Sequence, residues 1–234
     1  MIQRQSQATK SFSVLIGLLR DRSAFLEEIR SGAKLSSKST ALLICSSIFF
    51  ALYGAIIGSF NGWAQALSSA VKLPSLYLIT LIICFPTLYF FNILFGSRKT
   101  AGQHFVMLLT AASVISVLLF SFAPISLFFL ITTYNYQFFK LLNVGILAVT
   151  GLIGVKFLYQ GMQLLSKEDE EGLKTRMSIL RFWLFLYGFV GTQLAWTLRP
   201  FFGKPDSPFE LFREMQGNFY LDVFQALGEI FGTR

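Results

Sequence analysis

One histidine, two cysteines and a few charged or amide side chains set in long apolar runs are the residues of this 234-residue chain that could do chemistry. His104 carries an imidazole, a common axial ligand for haem or chlorophyll. It stands at the start of an apolar run with no partner histidine on another run. It therefore reads first as a headgroup or loop contact, with pigment or haem ligation left open. Cys45 and Cys84 both lie inside apolar runs and read as small buried apolar residues rather than a disulfide or metal pair. The patterns HExxH, CxxC, GxSxG and the P-loop do not occur, which argues against the commonest hydrolase, redox and nucleotide chemistries. No catalytic, cofactor-binding or metal-binding residue is assigned, and the chain is read as non-enzymatic.

Charge inside a membrane usually marks a proton or ion path. Only Lys156 and Arg181 approach that position, each within a couple of turns of an apolar run's basic end, where a long side chain snorkels to the interface. Lys140 marks the start of a run, and Asn143 and Gln193 are read as bonding across helices. No carboxylate lies within a run, which disfavours proton-coupled transport. Pro86 removes one helix hydrogen bond near mid-run, and Asn92 comes six residues later. A proline kink is the plain reading. The alternative is a path through the break, as in transporters built from broken helices, although no matching break or internal repeat is visible. Gly54 and Gly58 form GxxxG, and Gly62 extends the spacing by four. Small residues so placed let two helix backbones approach, within the chain or between two copies.

The elements that must position these residues are five apolar runs, 41–60, 76–96, 105–133, 141–163 and 179–198. Each is long enough to cross a hydrocarbon core of roughly 30 Å. The chain is 54% hydrophobic and only 14% charged. Its charge of +8 sits at the ends of the runs, as topology signals and contacts for anionic headgroups. Nucleic acid binding is not expected, since no segment interleaves basic residues with exposed aromatics. No cleavable signal peptide is expected ahead of the first run. Basic residues alternate rich, poor, rich, poor, rich along the connections, with seven in residues 1–40 and only Lys72 in the loop after the first run. The positive-inside rule then places the N-terminus in the cytoplasm and the C-terminus outside. The run 105–133 is long and holds Pro124, so it either kinks or ends near Phe122 with a half-helix beyond.

Residues 11–30 place Phe12, Leu15, Ile16, Leu19, Leu26 and Ile29 at helical spacing, an amphipathic helix for the membrane surface. At the other end Pro200 stops the fifth helix, and Trp196 and Arg199 anchor it at the interface. Ser207, Pro208 and Glu210 then resemble a capping box that opens a second amphipathic helix carrying Phe212, Met215, Phe219, Val223 and Ile230. The fold expected is an all-α membrane protein, a bundle of about five transmembrane helices with amphipathic interfacial helices at both ends. Its parts are a cytoplasmic segment at 1–39, a five-span domain at 40–202 and an extracytoplasmic tail at 203–234.

The run Tyr53-Gly54-Ala-Ile-Ile-Gly58, Pro74 at the start of the second run, and Phe85-Pro86-Thr-Leu-Tyr89-Phe-Phe-Asn92 resemble the Yip1-type membrane proteins over residues 40–165. The Arg199-Pro200-Phe201 segment and the residues beyond it fall outside that pattern. The resemblance implies a non-enzymatic membrane organiser or trafficking-type protein, here of a bacterial inner membrane, and carries over no site residues. The function expected is an accessory or scaffold subunit of a larger membrane assembly, with the lipid bilayer and protein partners around it. The alternative is a small transporter or channel subunit with its path near Pro86 and Asn92.

Overall fold

A computed structural model of the chain describes residues 2–133, 135–166, 173–203, 208–212 and 228, with side chains described from Ser11 onward except that of residue 173. Among the described residues there are seven α-helices and no strand: α1 Ile2–Arg20, α2 Arg22–Arg30, α3 Leu35–Gly58, α4 Trp63–Leu94, α5 Ala101–Thr132, α6 Tyr136–Leu165 and α7 Leu173–Thr197. Five of these stretches are long and apolar enough to cross a membrane: Leu35–Asn61, Trp63–Leu94, Ala101–Thr132, Tyr136–Leu165 and Lys174–Thr197. At about 1.5 Å per residue, the 32 residues of α4 extend about 48 Å, well beyond a core of roughly 30 Å.

Three boundaries differ from the sequence reading. The connection expected before residue 76 is instead helix. After Gly58 the chain makes one tight turn, Ser59–Asn61, and reverses at Gly62, whose φ of 102° suits a residue without Cβ. Helix α4 then starts at Trp63 and runs through Lys72 and Pro74, so Lys72 is a helix residue and not a loop residue. Its charge is tolerated there because carbonyl oxygens converge on it. Helix α5 continues unbroken through Pro124 to Thr132, so the half-helix alternative falls away. The single amphipathic helix expected over 11–30 is two helices. Asp21 breaks it, with φ −136° and ψ 83°, and its carboxylate accepts the Ala24 N–H at 2.9 Å as the cap of α2. The break resets the helical register, so Leu15, Leu18, Phe25, Leu26 and Ile29 are buried while Phe12, Ile16 and Leu19 stay exposed.

At the other end α7 stops at Thr197, because Pro200 bars helical geometry at the residue before it. Residues 208–212 are irregular, with bends at Leu211 and Phe212, so the helix expected from a Ser207 cap does not begin there. Ser207, Met215, Phe219, Val223 and Ile230 lie outside the described residues.

The chain divides into two compact units. The first comprises 1–47, 81–115 and 152–187, and the second 48–80, 116–151 and 188–234. In the first, α5 opens with a reciprocal cap. Thr100 Oγ1 accepts the Gln103 N–H at 3.3 Å, and Gln103 Oε1 accepts the Thr100 N–H at 2.8 Å. The Gln103 amide then donates to Arg30 O at 2.7 Å and Ile29 O at 3.2 Å, satisfying the last carbonyls of α2 and fastening that helix to α5. In the second unit α3 and α4 meet backbone to backbone. A Cβ on Gly54 would lie 2.4 Å from Ser69 O, and one on Gly58 would lie 2.5 Å from Gln65 O.

Candidate functional site

The most concentrated polar chemistry lies in the second unit, on the first three turns of α4. Gln65, Ser69 and Lys72 recur at i, i+4 and i+7, which places them on one helix face. All three are buried, Gln65 to 1% and Lys72 to 5% exposure. All three donate to main-chain carbonyls of the segment that comes after α7. Gln65 Nε2 donates to Pro200 O at 2.7 Å, and Ser69 Oγ to Phe201 O at 2.5 Å. Lys72 Nζ donates to Pro200 O at 3.2 Å and to Leu211 O, and it lies 5.0 Å from the centre of the Phe212 ring. Gly203 backs on to the α3–α4 turn, where a Cβ would come 2.5 Å from Asn61 Cβ.

This is a clamp for non-helical backbone. An ammonium removed from water needs oxygen acceptors, and peptide carbonyls supply them where no carboxylate lies in the helix. The same face packs against Gly54 and Gly58, so the glycine pair sets how closely α3 backs the clamp. Chemically the arrangement holds a stretch of chain mainly by its carbonyls, with the Phe212 ring beside Lys72 and Gly203 close against Asn61.

A second buried network ties α3, α5 and α6 together within the same unit. Tyr53 Oη donates to Asn143 Oδ1 at 2.7 Å, Ser126 Oγ donates to the same oxygen at 2.9 Å, and Asn143 Nδ2 donates to Phe139 O at 2.8 Å. Asn143 thus makes its cross-helix contact and has both ends of its amide engaged.

The remaining sequence candidates are dispersed. Gly62 sits in the α3–α4 turn with open space where a Cβ would go, so it serves the turn and not the helix contact. Pro86 is exposed. Asn92 is buried, and its Nδ2 donates to Leu88 O at 2.8 Å. The two therefore point to different surroundings and do not converge on a shared lining. Two residues before Pro86, the Cys84 carbonyl accepts the buried Trp183 indole N–H at 2.9 Å. Trp196 and Arg199 form a stacked pair, the guanidinium carbon 3.5 Å from the ring centre, directly before the clamped Pro200.

His104 departs from the headgroup reading, since it is 1% exposed in the first turn of α5. Its Nδ1 lies 3.0 Å from Thr100 O, and its ring meets Tyr89 edge-on at 5.7 Å between centroids. Cys45 and Cys84 are free and buried. Lys156 is exposed, and Arg181 donates to Tyr159 Oη at 3.0 Å. Among the described residues no group of three or more His, Cys, Asp or Glu could hold a metal ion.

The sequence reading missed Gln65, Ser69 and Lys72, whose i, i+4, i+7 spacing was a usable signal once 63–75 is read as helix. It also missed the Thr100-x-x-Gln103 cap, although that pattern is a standard helix start. Compared with protein-family models, curated proteins and solved structures, the chain matches none.

Proposed function

We propose that the chain is a non-enzymatic accessory or scaffold subunit of a larger membrane assembly. One observation carries the reading: the best-connected polar side chains within its long helices hold the fold. Gln65, Ser69 and Lys72 grip main chain, Tyr53, Ser126 and Asn143 bond one another, and Asn92 bonds its own helix. The helices present apolar side chains outward. On α7 Phe182, Phe185 and Phe189 are exposed, and on α4 Ile82, Ile83, Phe90 and Leu94 are exposed. Such faces suit lipid and neighbouring membrane helices. The Yip1-type resemblance points the same way.

The charge distribution supports a cytoplasmic N-terminus and an outward C-terminus. Residues 1–40 carry seven of the 20 Lys and Arg residues, and basic residues are retained on the cytoplasmic side. The exposed Phe12, Ile16 and Leu19 stripe supports an interfacial position for α1. No observation favours a path through Pro86. Purification in mild detergent after crosslinking in the native membrane tests the function: a stoichiometric membrane partner is expected, and a lone monomer throughout would overturn it.

A further inference from the structure

Two cations stand on exposed faces of α6 and α7 within the first unit, Lys156 and Arg181. Arg181 donates to Tyr159 Oη at 3.0 Å, with its guanidinium carbon 5.6 Å from the centre of that ring. Tyr159 follows Lys156 by three residues on α6, and residues so spaced are neighbours on a helix surface. One tyrosine therefore stands beside both charges. Its bond occupies one of the five N–H donors of the guanidinium. Lys156 lies about 13 Å along the axis before the end of α6 at Leu165, and Arg181 about 12 Å after the start of α7 at Leu173. The acidic residues 168–171 come after the first of those ends and before the second.

Helix α2 fixes the depth of this pair, because it flanks the last turns of α6. Arg22 Nη2 donates to Gln160 Oε1 at 2.7 Å, and its guanidinium carbon stands 4.2 Å from the centre of the Phe157 ring. A Cβ on Gly161 would lie 3.7 Å from Leu26 Cδ2. Helix α2 exposes Arg22, Glu27 and Glu28, so it belongs among headgroups and water and not among acyl chains. That sets the edge of the hydrocarbon near Phe157. Counting back about 20 residues, one hydrocarbon thickness, reaches the start of α6 at Tyr136. Lys156 and Tyr159 therefore straddle the level where acyl chains meet headgroups, and Arg181 is bonded there too. One turn deeper on the same faces, Leu152 precedes Lys156 by four residues and Phe185 follows Arg181 by four, and both are exposed.

We propose that Lys156, Tyr159 and Arg181 form a binding site for a phospholipid with a net negative headgroup, the phosphatidylglycerol type, in the leaflet on the side of α2. The phosphate is held by the ammonium and the guanidinium, and the acyl chains lie along Leu152 and Phe185. Arginine suits phosphate because its planar donors match the oxygen geometry. Basic residues on neighbouring membrane helices at this level attract anionic headgroups. A zwitterionic headgroup offers the same phosphate but carries its own cation, which two positive side chains repel. The net negative lipid is therefore selected. This inference rests on the membrane-spanning reading of the chain and not on which partner the assembly contains.

The test is native mass spectrometry of the full chain in detergent, titrated in turn with phosphatidylglycerol, phosphatidylcholine and phosphatidylethanolamine of matched acyl chains. The glycerol lipid is expected to bind about tenfold more tightly than either zwitterion. Replacing both cations, Lys156→Gln with Arg181→Gln, is expected to abolish that preference. Lys34→Gln, which removes an exposed cation elsewhere in the unit, should leave it unchanged. Should the double variant fail to fold, each single variant serves, with a drop of about threefold expected. Equal affinity of the parent for the three lipids overturns the proposal and leaves the two cations to the carboxylates of a neighbouring membrane helix. A preference that survives in the folded double variant, or that falls as far in Lys34→Gln, overturns it as well. So does inorganic phosphate or soluble glycerophosphoglycerol competing as well as the intact lipid, because Leu152 and Phe185 would then play no part. None of these outcomes depends on recovering a protein partner.

Discussion

Replacing Gly54 by alanine tests the packing that underlies the clamp. The new Cβ would stand 2.4 Å from Ser69 O, 2.9 Å from Ser69 C and 3.2 Å from the Ala70 Cα, where ordinary contact begins near 3.4 Å. All three atoms are backbone, so no rotamer change relieves the clash and α4 must withdraw locally by about 1 Å. Overpacking of this kind costs about 1–3 kcal/mol, and 2 kcal/mol lowers the ratio of folded to unfolded protein about thirtyfold. The same movement draws Ser69 Oγ away from Phe201 O, which now stands at 2.5 Å, so the segment after α7 should loosen too. Gly188→Ala is the control, since nothing lies within 4 Å of where its Cβ would be. Denaturation in mixed micelles, monitored by tryptophan fluorescence, should show Gly54→Ala destabilised by about 2 kcal/mol and Gly188→Ala within about 0.5 kcal/mol of the parent. Equal stability of the two variants would refute the close α3–α4 contact.

The same geometry sets three further outcomes. Lys72→Met removes the donor to Pro200 O and Leu211 O, so proteolysis near residues 204–212 should speed up severalfold while the helical circular dichroism holds; an unchanged cleavage rate would contradict the clamp. Tyr53→Phe should cost about 1 kcal/mol, and Asn143→Leu more because two hydroxyls lose their shared acceptor; additivity in the double variant would deny the network. Gln103→Leu strips the partners from Ile29 O and Arg30 O, so amide exchange in α2 should quicken relative to α6, and equal protection would contradict the staple.

How much was legible in the sequence depended on where the partner of each residue lies. The long apolar runs needed only composition and length, and five helices of that kind are present among the described residues. Gly54 and Gly58 carried their spacing openly, although the partner backbone at Gln65 and Ser69 did not. Lys72 was misplaced because a lysine just ahead of Pro74 looks like a loop, when its acceptors are carbonyls more than 120 residues away. Carbonyls belong to every residue alike, so the hydrogen bonds of the clamp leave no mark in the sequence of the residues that accept them. Asp21 concealed the break in the N-terminal helix for a different reason. It fits the polar face of one long helix as well as it fits an N-cap, and only the Ala24 bond distinguishes the two. His104 was likewise placed at the surface by its position at the end of an apolar run, whereas Tyr89 and the first turn of α5 bury it.

Five crossings are the centre of this account, and topology tests them most directly. With Cys45 and Cys84 replaced by alanine, single cysteines at Arg4 and at Arg234 should label with an impermeant maleimide from opposite sides of sealed, oriented vesicles, the second from outside. Labelling of both from the same side would mean an even number of crossings and would contradict the five-helix reading.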